Sequence, residues 1–236
     1  MSAQDITYRW LREHIGSIPR TTGGFITEAE VAAASGTSRT PVREALLRLE
    51  AEGFLEIVPK KGAYIPPISD AEVEAVMQAR LIVEDWCVRQ SLQVSDDLVA
   101  ELADSIKEQE QLLGDPVGFI ECDRDFHLMI VNAAGNPYLT NFYASLRERQ
   151  IRMGLYAVVS AEGRARTVLA EHNAILKALS DQDPDAASEA VAAHLANTLD
   201  VLRRPEIRSR ASRAAFQSRA RHSSAGPLLG WSRPNS

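Results

Sequence analysis

Residues 38–53 read SRTPVREALLRLEAEG, and this stretch decides the fold of the first part of the chain. Ser38 is a good N-cap, proline is tolerated in a first turn, and Gly53 can end the helix, so the stretch predicts a helix of about three and a half turns. At about 100° per residue, Thr40 and Arg43 project away from the apolar face, and Arg39 lies at its edge. That apolar face consists of Val42, Ala45, Leu46 and Leu49. The helix can therefore dock on a core while its cations stay accessible.

A hairpin with a basic tip is predicted directly after this helix. The β-prone runs 55–58 and 63–65 flank a Pro-Lys-Lys-Gly turn that carries Lys60 and Lys61. A helix in the major groove reads base edges with its N-terminal side chains, and arginine matches guanine in a bidentate manner. The order of helix and wing favours a DNA-binding winged helix over the alternative, a surface helix with solvated arginines.

The preceding residues predict two more helices of the same module. Residues 5–18 form the first helix, and Thr27 caps a short second helix that runs through Ala34. The turn at 35–37 is as tight as a helix-turn-helix requires. The expected inward face of the first helix consists of Ile6, Trp10, Leu11 and Ile15.

The composition limits the classes of protein to which the chain can belong. The chain has 236 residues, of which 45% are hydrophobic, enough for a sizeable core. No apolar run is long enough to span a membrane, and the first residues lack the basic start of a signal peptide, so we expect a cytoplasmic protein without a membrane partner. Cys87 and Cys122 are far apart and are expected to be buried, reduced thiols.

The net charge of -6 is unevenly distributed along the chain. Residues 1–67 are neutral, residues 68–204 carry -11, and residues 205–236 carry +5. An acidic bulk beside a neutral DNA-binding module favours recognition through a few placed cations rather than indiscriminate affinity for nucleic acid. The Arg- and Ser-rich tail, 205–236, is expected to be disordered and without a role; the alternatives are nonspecific phosphate contacts or docking on the acidic bundle.

Residues 68–204 are predicted to be helical almost throughout. Breaks are expected near Val94-Ser95, 114–116, 135–137, 161–163 and 180–184, which divide this region into six helices. Short connections imply antiparallel neighbours. The predicted fold class is mainly α: a winged helix-turn-helix domain over residues 1–67 and an all-α antiparallel bundle over residues 68–204.

Four polar residues fall on inward faces of that bundle. Asp123 and His127 lie one turn apart, and His172 and His194 share the apolar stripes of two later helices. A carboxylate facing a core is costly unless it is paired or bound to a metal. A single inward histidine is commonly a hydrogen-bonded core residue, which remains the alternative for each. Together, three imidazoles and one carboxylate suit a divalent transition metal such as zinc, nickel or manganese.

Residues 5–67 resemble the winged helix of the GntR family of bacterial transcription regulators. The resemblance rests on the string SRTPVREAL, 38–46, and on the wing that follows. It implies that Arg39, Thr40 and Arg43 touch DNA, and that Gly62 lets the wing approach the minor groove. The full set of predicted DNA-binding residues is Ser38, Arg39, Thr40, Arg43, Lys60, Lys61 and Gly62.

Residues 69–203 resemble the FCD effector-binding domain of the FadR-type subfamily, and six helices place the chain near its VanR-like branch. The resemblance implies a small carboxylate effector, bound partly by the metal and partly by Arg80 and Arg149. The alternatives are a salt bridge from Arg80 to Glu84 and a solvated Arg149. The family's metal ligands correspond to Asp123, His127, His172 and His194.

These features predict a homodimeric transcription regulator, a repressor, whose two recognition helices bind an inverted-repeat operator in double-stranded DNA. Its DNA affinity would respond to the effector through linkage between the two sites. Two alternatives belong to other classes: a metalloenzyme-like bundle with an accessory DNA-binding domain, and a direct metal sensor. The sequence contains no Ser or Cys nucleophile motif and no Gly-rich phosphate loop, so we predict that the protein is not an enzyme.

Overall fold

The N-terminal module has three helices and a small sheet. The computed structural model describes residues 2–90 and 95–204. Ser2 and Asp5 form a capping box at the start of the first helix, and Thr27 and Glu30 form another at the second. The three helices are α1 (Ala3–Ser17), α2 (Glu28–Ser35) and α3 (Arg39–Ala51).

The predicted recognition helix is present with the predicted buried face. Val42, Ala45, Leu46 and Leu49 of α3 are all buried. Ser38 precedes the helix as its N-cap residue, but its hydroxyl makes no capping hydrogen bond. The expected inward face of α1 was wrong in part: Ile6 is 42% exposed, because α1 packs through Tyr8, Leu11 and Ile15 instead.

The wing is the outer part of a three-stranded antiparallel sheet in the order β1-β3-β2. The predicted hairpin is confirmed, and its turn is closed by a hydrogen bond from the amide of Lys61 to the carbonyl of Val58. Strand β1, which pairs Gly24 with Ile65, was not predicted from the sequence. The strands are β1 (Gly24–Ile26), β2 (Glu56–Val58) and β3 (Gly62–Ile65).

The bundle contains seven helices among the described residues, so the predicted count of six was wrong. The additional break falls at Leu146, which ends one helix and begins the next with a helix-like backbone and neither glycine nor proline beside it. The helix count therefore gives no support for the VanR-like branch. The helices are α4 (Asp70–Gln90), α5 (Asp96–Gln111), α6 (Pro116–Ala133), α7 (Pro137–Ser145), α8 (Arg147–Ser160), α9 (Arg164–Ser180) and α10 (Pro184–Arg203).

The winged helix and the bundle share an apolar core, and the described residues up to Arg204 form one compact unit. Leu11 and Leu49 of the winged helix belong to the same buried cluster as Ile120 of α6 and Leu155 of α8. A second cluster fills the bundle interior. Burying this apolar surface between the two parts couples their positions, because sliding one past the other would expose it.

A buried arginine marks the junction between the two parts. Arg12 of α1 is 1% exposed and donates from Nη1 to Tyr8 Oη at 3.1 Å and to the carboxylate of Glu121 on α6. Its guanidinium carbon lies 4.9 Å from the ring centroid of Phe54, two residues after the C-cap of α3. Helix α6 is therefore connected through Arg12 to the end of the recognition helix.

Three further predictions concern the two cysteines, membrane spans and the C-terminal tail. Cys87 and Cys122 are buried and form no disulfide among the described residues, and burial raises the pKa of Cys87 to about 11. Among the described residues, no helix is long and apolar enough to cross a membrane. The predicted tail, 205–236, lies outside the described residues.

Candidate functional site

The predicted DNA-reading side chains lie at one exposed end of α3. Ser38, Arg39, Thr40 and Arg43 are all exposed. Arg43 also forms an exposed ion pair with Glu28 of α2, its Nε lying 3.0 Å from both carboxylate oxygens. An exposed pair of this kind contributes little to stability, so Arg43 can exchange Glu28 for another acceptor at small cost.

The wing tip adds two further cations. Lys60 and Lys61 are exposed, and Lys60 has a positive φ of 64°, which the tight turn imposes. Gly62 has φ 137°, and a side chain there would collide with the backbone of Ile26 in β1. Glycine is therefore required at position 62 by the sheet itself, because a larger residue would not let β3 pass this close to β1.

The four predicted metal ligands converge inside the bundle. Asp123 and His127 come from α6, His172 from α9 and His194 from α10. Each offers a ligand atom, and these atoms lie within 4.8 Å of one another. The three histidines are at most 2% exposed. The 3.6-residue helical period explains the local arrangement, because it places Asp123 and His127 on one face, a turn apart.

Two of the imidazoles are hydrogen bonded from outside the cluster through Nδ1, and the third has a carboxylate close to that atom. Nδ1 of His172 is hydrogen bonded to Oε1 of Gln109 at 2.8 Å, and Nδ1 of His194 lies 2.7 Å from Oε2 of Glu171. Nδ1 of His127 lies 2.8 Å from a carboxylate oxygen of Glu84. In His172 and His194 the partner oxygen accepts, so Nδ1 carries the proton and Nε2 keeps its lone pair. Nδ1 of His127 makes no hydrogen bond in the described part of the chain, although Glu84 lies beside it.

The Nε2 atoms of the histidines indicate that the cluster binds a ligand. Nε2 of His127 and Nε2 of His172 are buried and have no hydrogen-bond partner in the described part of the chain. Nε2 of His172 lies 3.4 Å from Oδ1 of Asp123. Buried polar atoms without partners are costly, and outer carboxylate or amide partners on Nδ1 are the usual support of metal-bound histidine. The residues present therefore fit a divalent transition metal.

Burial shifts the pKa values of two histidines of the cluster. It holds the pKa of His172 well below the ordinary value, and the neighbouring imidazoles lower it further. Burial also lowers the pKa of His194, although the hydrogen bond to Glu171 opposes this shift. Burial disfavours the charged carboxylate of Glu171, but hydrogen bonds from His194 and Arg164 prevail and lower its pKa to about 2. Neutral imidazoles supported by ionised carboxylates are the state that binds metal.

A partly open pocket, called the cavity below, adjoins the cluster; its empty space of about 430 Å³ includes the solvent at its mouth. Asp123 and His194 line it together with Arg80, and its apolar wall includes Met77 and Ile120. Arg80 is buried and donates from Nε to Glu84 at 2.8 Å, so the salt bridge given above as the alternative exists, and the side chain also borders the cavity. Burial opposes ionisation of Glu84, but Arg80 and His127 keep its pKa well below the ordinary value.

Arg149, the other predicted effector-binding residue, is not brought to this cavity. It is exposed and pairs with Glu72, its Nε lying 3.3 Å from the carboxylate. The second arginine of the cavity is Arg164, at the start of α9, which makes a bidentate pair with Glu171 at 2.8 and 2.9 Å.

Several site residues were missed by the sequence analysis. Gln109, Glu171, Arg164 and Gln150 all touch the ligands or line the cavity. Glu171 is adjacent to His172 in sequence yet supports His194 of the next helix. No spacing rule connects Gln109 to His172, 63 residues away, so this pair becomes visible only when α5 and α9 pack together.

A winged helix joined to a bundle with a metal-ligand cluster and a cavity defines a DNA-binding regulator with a ligand-binding domain. Comparison with known proteins agrees with this class. Residues 4–65 match the bacterial regulatory proteins of the gntR family, and residues 75–197 match the FCD domain. The chain belongs to the GntR family and carries a C-terminal FCD domain.

The chain is similar to individual regulators along most of its length. It is 30% identical over 201 residues to an uncharacterized HTH-type transcriptional regulator in an unstable DNA locus of Streptomyces ambofaciens, covering 84% of each chain. It is 27% identical over 194 residues to the HTH-type transcriptional repressor RspR of Escherichia coli K12, covering 80% of this chain and 83% of the other. These relatives are transcriptional regulators rather than enzymes.

A solved structure shares the fold. E. coli McbR/YncC superposes with a TM-score of 0.57 at 22% identity, over 86% of this chain and 97% of that one. At this identity the likeness concerns the fold alone. The chain is thus an HTH-type transcriptional regulator with a buried Asp/His cluster that could hold a metal ion.

Proposed function

We propose that this protein is a cytoplasmic, homodimeric repressor whose affinity for an inverted-repeat operator falls when a small carboxylate binds beside a divalent metal in the bundle. The observation that carries the proposal is the shared orientation of the three imidazoles: Nδ1 is hydrogen bonded outside the cluster in His172 and His194 and lies beside Glu84 in His127, while Nε2 is left for a ligand. Asp123 completes the donor set. A bound divalent ion supplies positive charge and open coordination positions for a carboxylate.

Arg80 and Arg164 support the anion preference, because both guanidiniums border the cavity next to the cluster. Their charges are compensated by Glu84 and Glu171 respectively, so the two arginines position the site without making it strongly cationic. The apolar wall limits the effector to a short body. This arrangement favours a small organic acid over a phosphorylated or extended ligand.

Exposed apolar side chains on two neighbouring helices support a dimer. Ile82 is 71% exposed on α4, and Tyr138 is 84% exposed on α7. The two helices are joined by a hydrogen bond from Tyr143 to Glu84 at 2.6 Å. Large exposed apolar side chains that cluster on one face commonly mark a protein–protein contact, and we propose that these do. The exposed apolar side chains of these helices are Leu81, Ile82, Trp86, Tyr138 and Phe142.

Coupling between the two sites has a structural basis in α6. This helix carries Asp123 and His127 on one face and Glu121, the partner of Arg12, on another. Any effector that shifts α6 also shifts the support of Arg12, which contacts the end of the recognition helix through Phe54. By linkage, an effector that weakens DNA binding must itself bind more weakly when DNA is bound.

The test uses the metal-loaded, full-length protein and an operator duplex selected from random DNA. Short carboxylates are titrated against the complex while operator affinity is followed by fluorescence anisotropy, in wild type and in His172→Ala. His14→Ala is the matched control, because His14 lies on α1 outside the cluster. We expect release of DNA in wild type and in His14→Ala but not in His172→Ala. Release by metal alone would instead identify a metal sensor.

A further inference from the structure

Two buried donors line the cavity without an acceptor. Gln150 is 8% exposed and Arg164 is 5% exposed, and both side chains border the cavity. Nε2 of Gln150 and Nε of Arg164 have no hydrogen-bond partner among the described residues. They come from α8 and α9, whereas the ligand Asp123 comes from α6. Buried N–H groups are normally satisfied, so two unsatisfied ones at the same cavity point to an absent acceptor.

The charges around the cavity limit what that acceptor can be. Arg164 is already neutralised by the bidentate pair with Glu171, and Arg80 by Glu84. Gln150 is uncharged. A second carboxylate would therefore lose its hydration without gaining an unpaired cation, which is costly in a buried site. A neutral oxygen, such as a hydroxyl or a keto group, accepts from an amide N–H at much smaller cost.

Resting on the proposed function, we infer that Gln150 determines effector specificity and that the effector is a short monocarboxylate with a second, neutral oxygen, a hydroxy or oxo acid. The carboxylate binds at the metal side, near Asp123 and His194, and the neutral oxygen accepts from Nε2 of Gln150. An acid without this oxygen leaves the buried amide unsatisfied and therefore binds more weakly.

The experiment compares three matched probes of the same chain length by isothermal titration of the full-length, zinc-loaded protein: butyrate, 3-hydroxybutyrate and succinate. We expect 3-hydroxybutyrate to bind at least about tenfold more tightly than butyrate, and also more tightly than succinate. In Gln150→Met, which keeps the side-chain length and removes the donor, the hydroxy acid should lose this advantage. Butyrate should bind about as well as before.

Gln111→Met is the control, because Gln111 is exposed at the end of α5. Equal binding of butyrate and 3-hydroxybutyrate by wild type would overturn the inference, even if Gln150→Met fails to fold. A preference that persists in Gln150→Met would also overturn it, since the hydroxyl would then be recognised by another group. If none of the three acids binds or alters operator affinity, the proposed function itself fails, and the inference falls with it.

Discussion

Gln109 offers a sharp test of how the cluster is built, because it supports the candidate metal ligand His172 without being a metal ligand itself. Oε1 of Gln109 accepts from Nδ1 of His172 at 2.8 Å, and both side chains are fully buried. Replacing Gln109 by methionine keeps the volume but removes the acceptor. The imidazole of His172 then has a buried donor without a partner, and nothing fixes the tautomer that leaves Nε2 free.

The expected magnitude follows from these contacts. A buried donor left without its acceptor costs about 1–3 kcal/mol of folding free energy. Loss of an outer partner of a metal-bound histidine typically weakens metal binding by about 10- to 100-fold. That factor corresponds to about 1.4–2.8 kcal/mol. We therefore expect Gln109→Met to be less stable without metal and to bind metal more weakly.

The assay is thermal unfolding with and without zinc, combined with chelator competition for the zinc dissociation constant. Gln111→Met, on the exposed side of the same helix, should match wild type in both measurements. The melting temperature of Gln109→Met should fall by about 2–4 °C for each kcal/mol lost. If Gln109→Met and Gln111→Met bind zinc equally well, the outer hydrogen bond does not support a metal ligand, and our reading of the cluster is wrong.

Three further predictions concern other parts of the molecule. Arg39→Ala should weaken operator binding by about 1–3 kcal/mol at constant salt, measured by fluorescence anisotropy. The control Arg203→Ala, at the far end of α10, should bind as wild type does, and equal effects of the two substitutions would contradict a contact between Arg39 and a base. Ile82→Asp should convert a dimer to a monomer in light scattering, and an unchanged mass would exclude this face as the interface. Leu49→Ala, in the buried face of α3, should lower the free energy of unfolding by about 2–5 kcal/mol in urea titrations. A loss below about 1 kcal/mol, the size expected for a surface substitution, would mean that α3 is not packed as described.

The recognition helix could be predicted because its signals are local. A cap residue, a proline in the first turn and a 3.6-residue apolar period specified α3, and all four predicted core residues are buried. Glycine or proline likewise marked four of the predicted breaks between bundle helices, and Ser95, the N-cap of α5, marked the fifth. Leu146 carries no such signal, because the chain bends there with a helix-like backbone, and the helix it divides was predicted as one.

The grouping of the four candidate ligands could also be predicted, since each lies on an apolar helical stripe and therefore faces the same core. Their supporting residues could not. Arg149 and Arg164 both lie on polar stretches of amphipathic helices, and only the packing of α8 and α9 decides which one reaches the cavity. Strand β1 was missed because a three-residue strand gains its hydrogen bonds from β3, 36 residues or more along the chain.

Metal content is the measurement that tests the central claim most directly. The full-length protein would be purified without added metal and analysed by inductively coupled plasma mass spectrometry, alongside Asp123→Ala, His172→Ala and the control His14→Ala. We predict about one divalent transition metal per chain in wild type and in the control, and loss of that metal in the two cluster variants, as expected for a site built from four ligands. Wild type without metal, even after incubation with zinc, nickel or manganese, would contradict the account and leave the four residues as buried polar groups of the core.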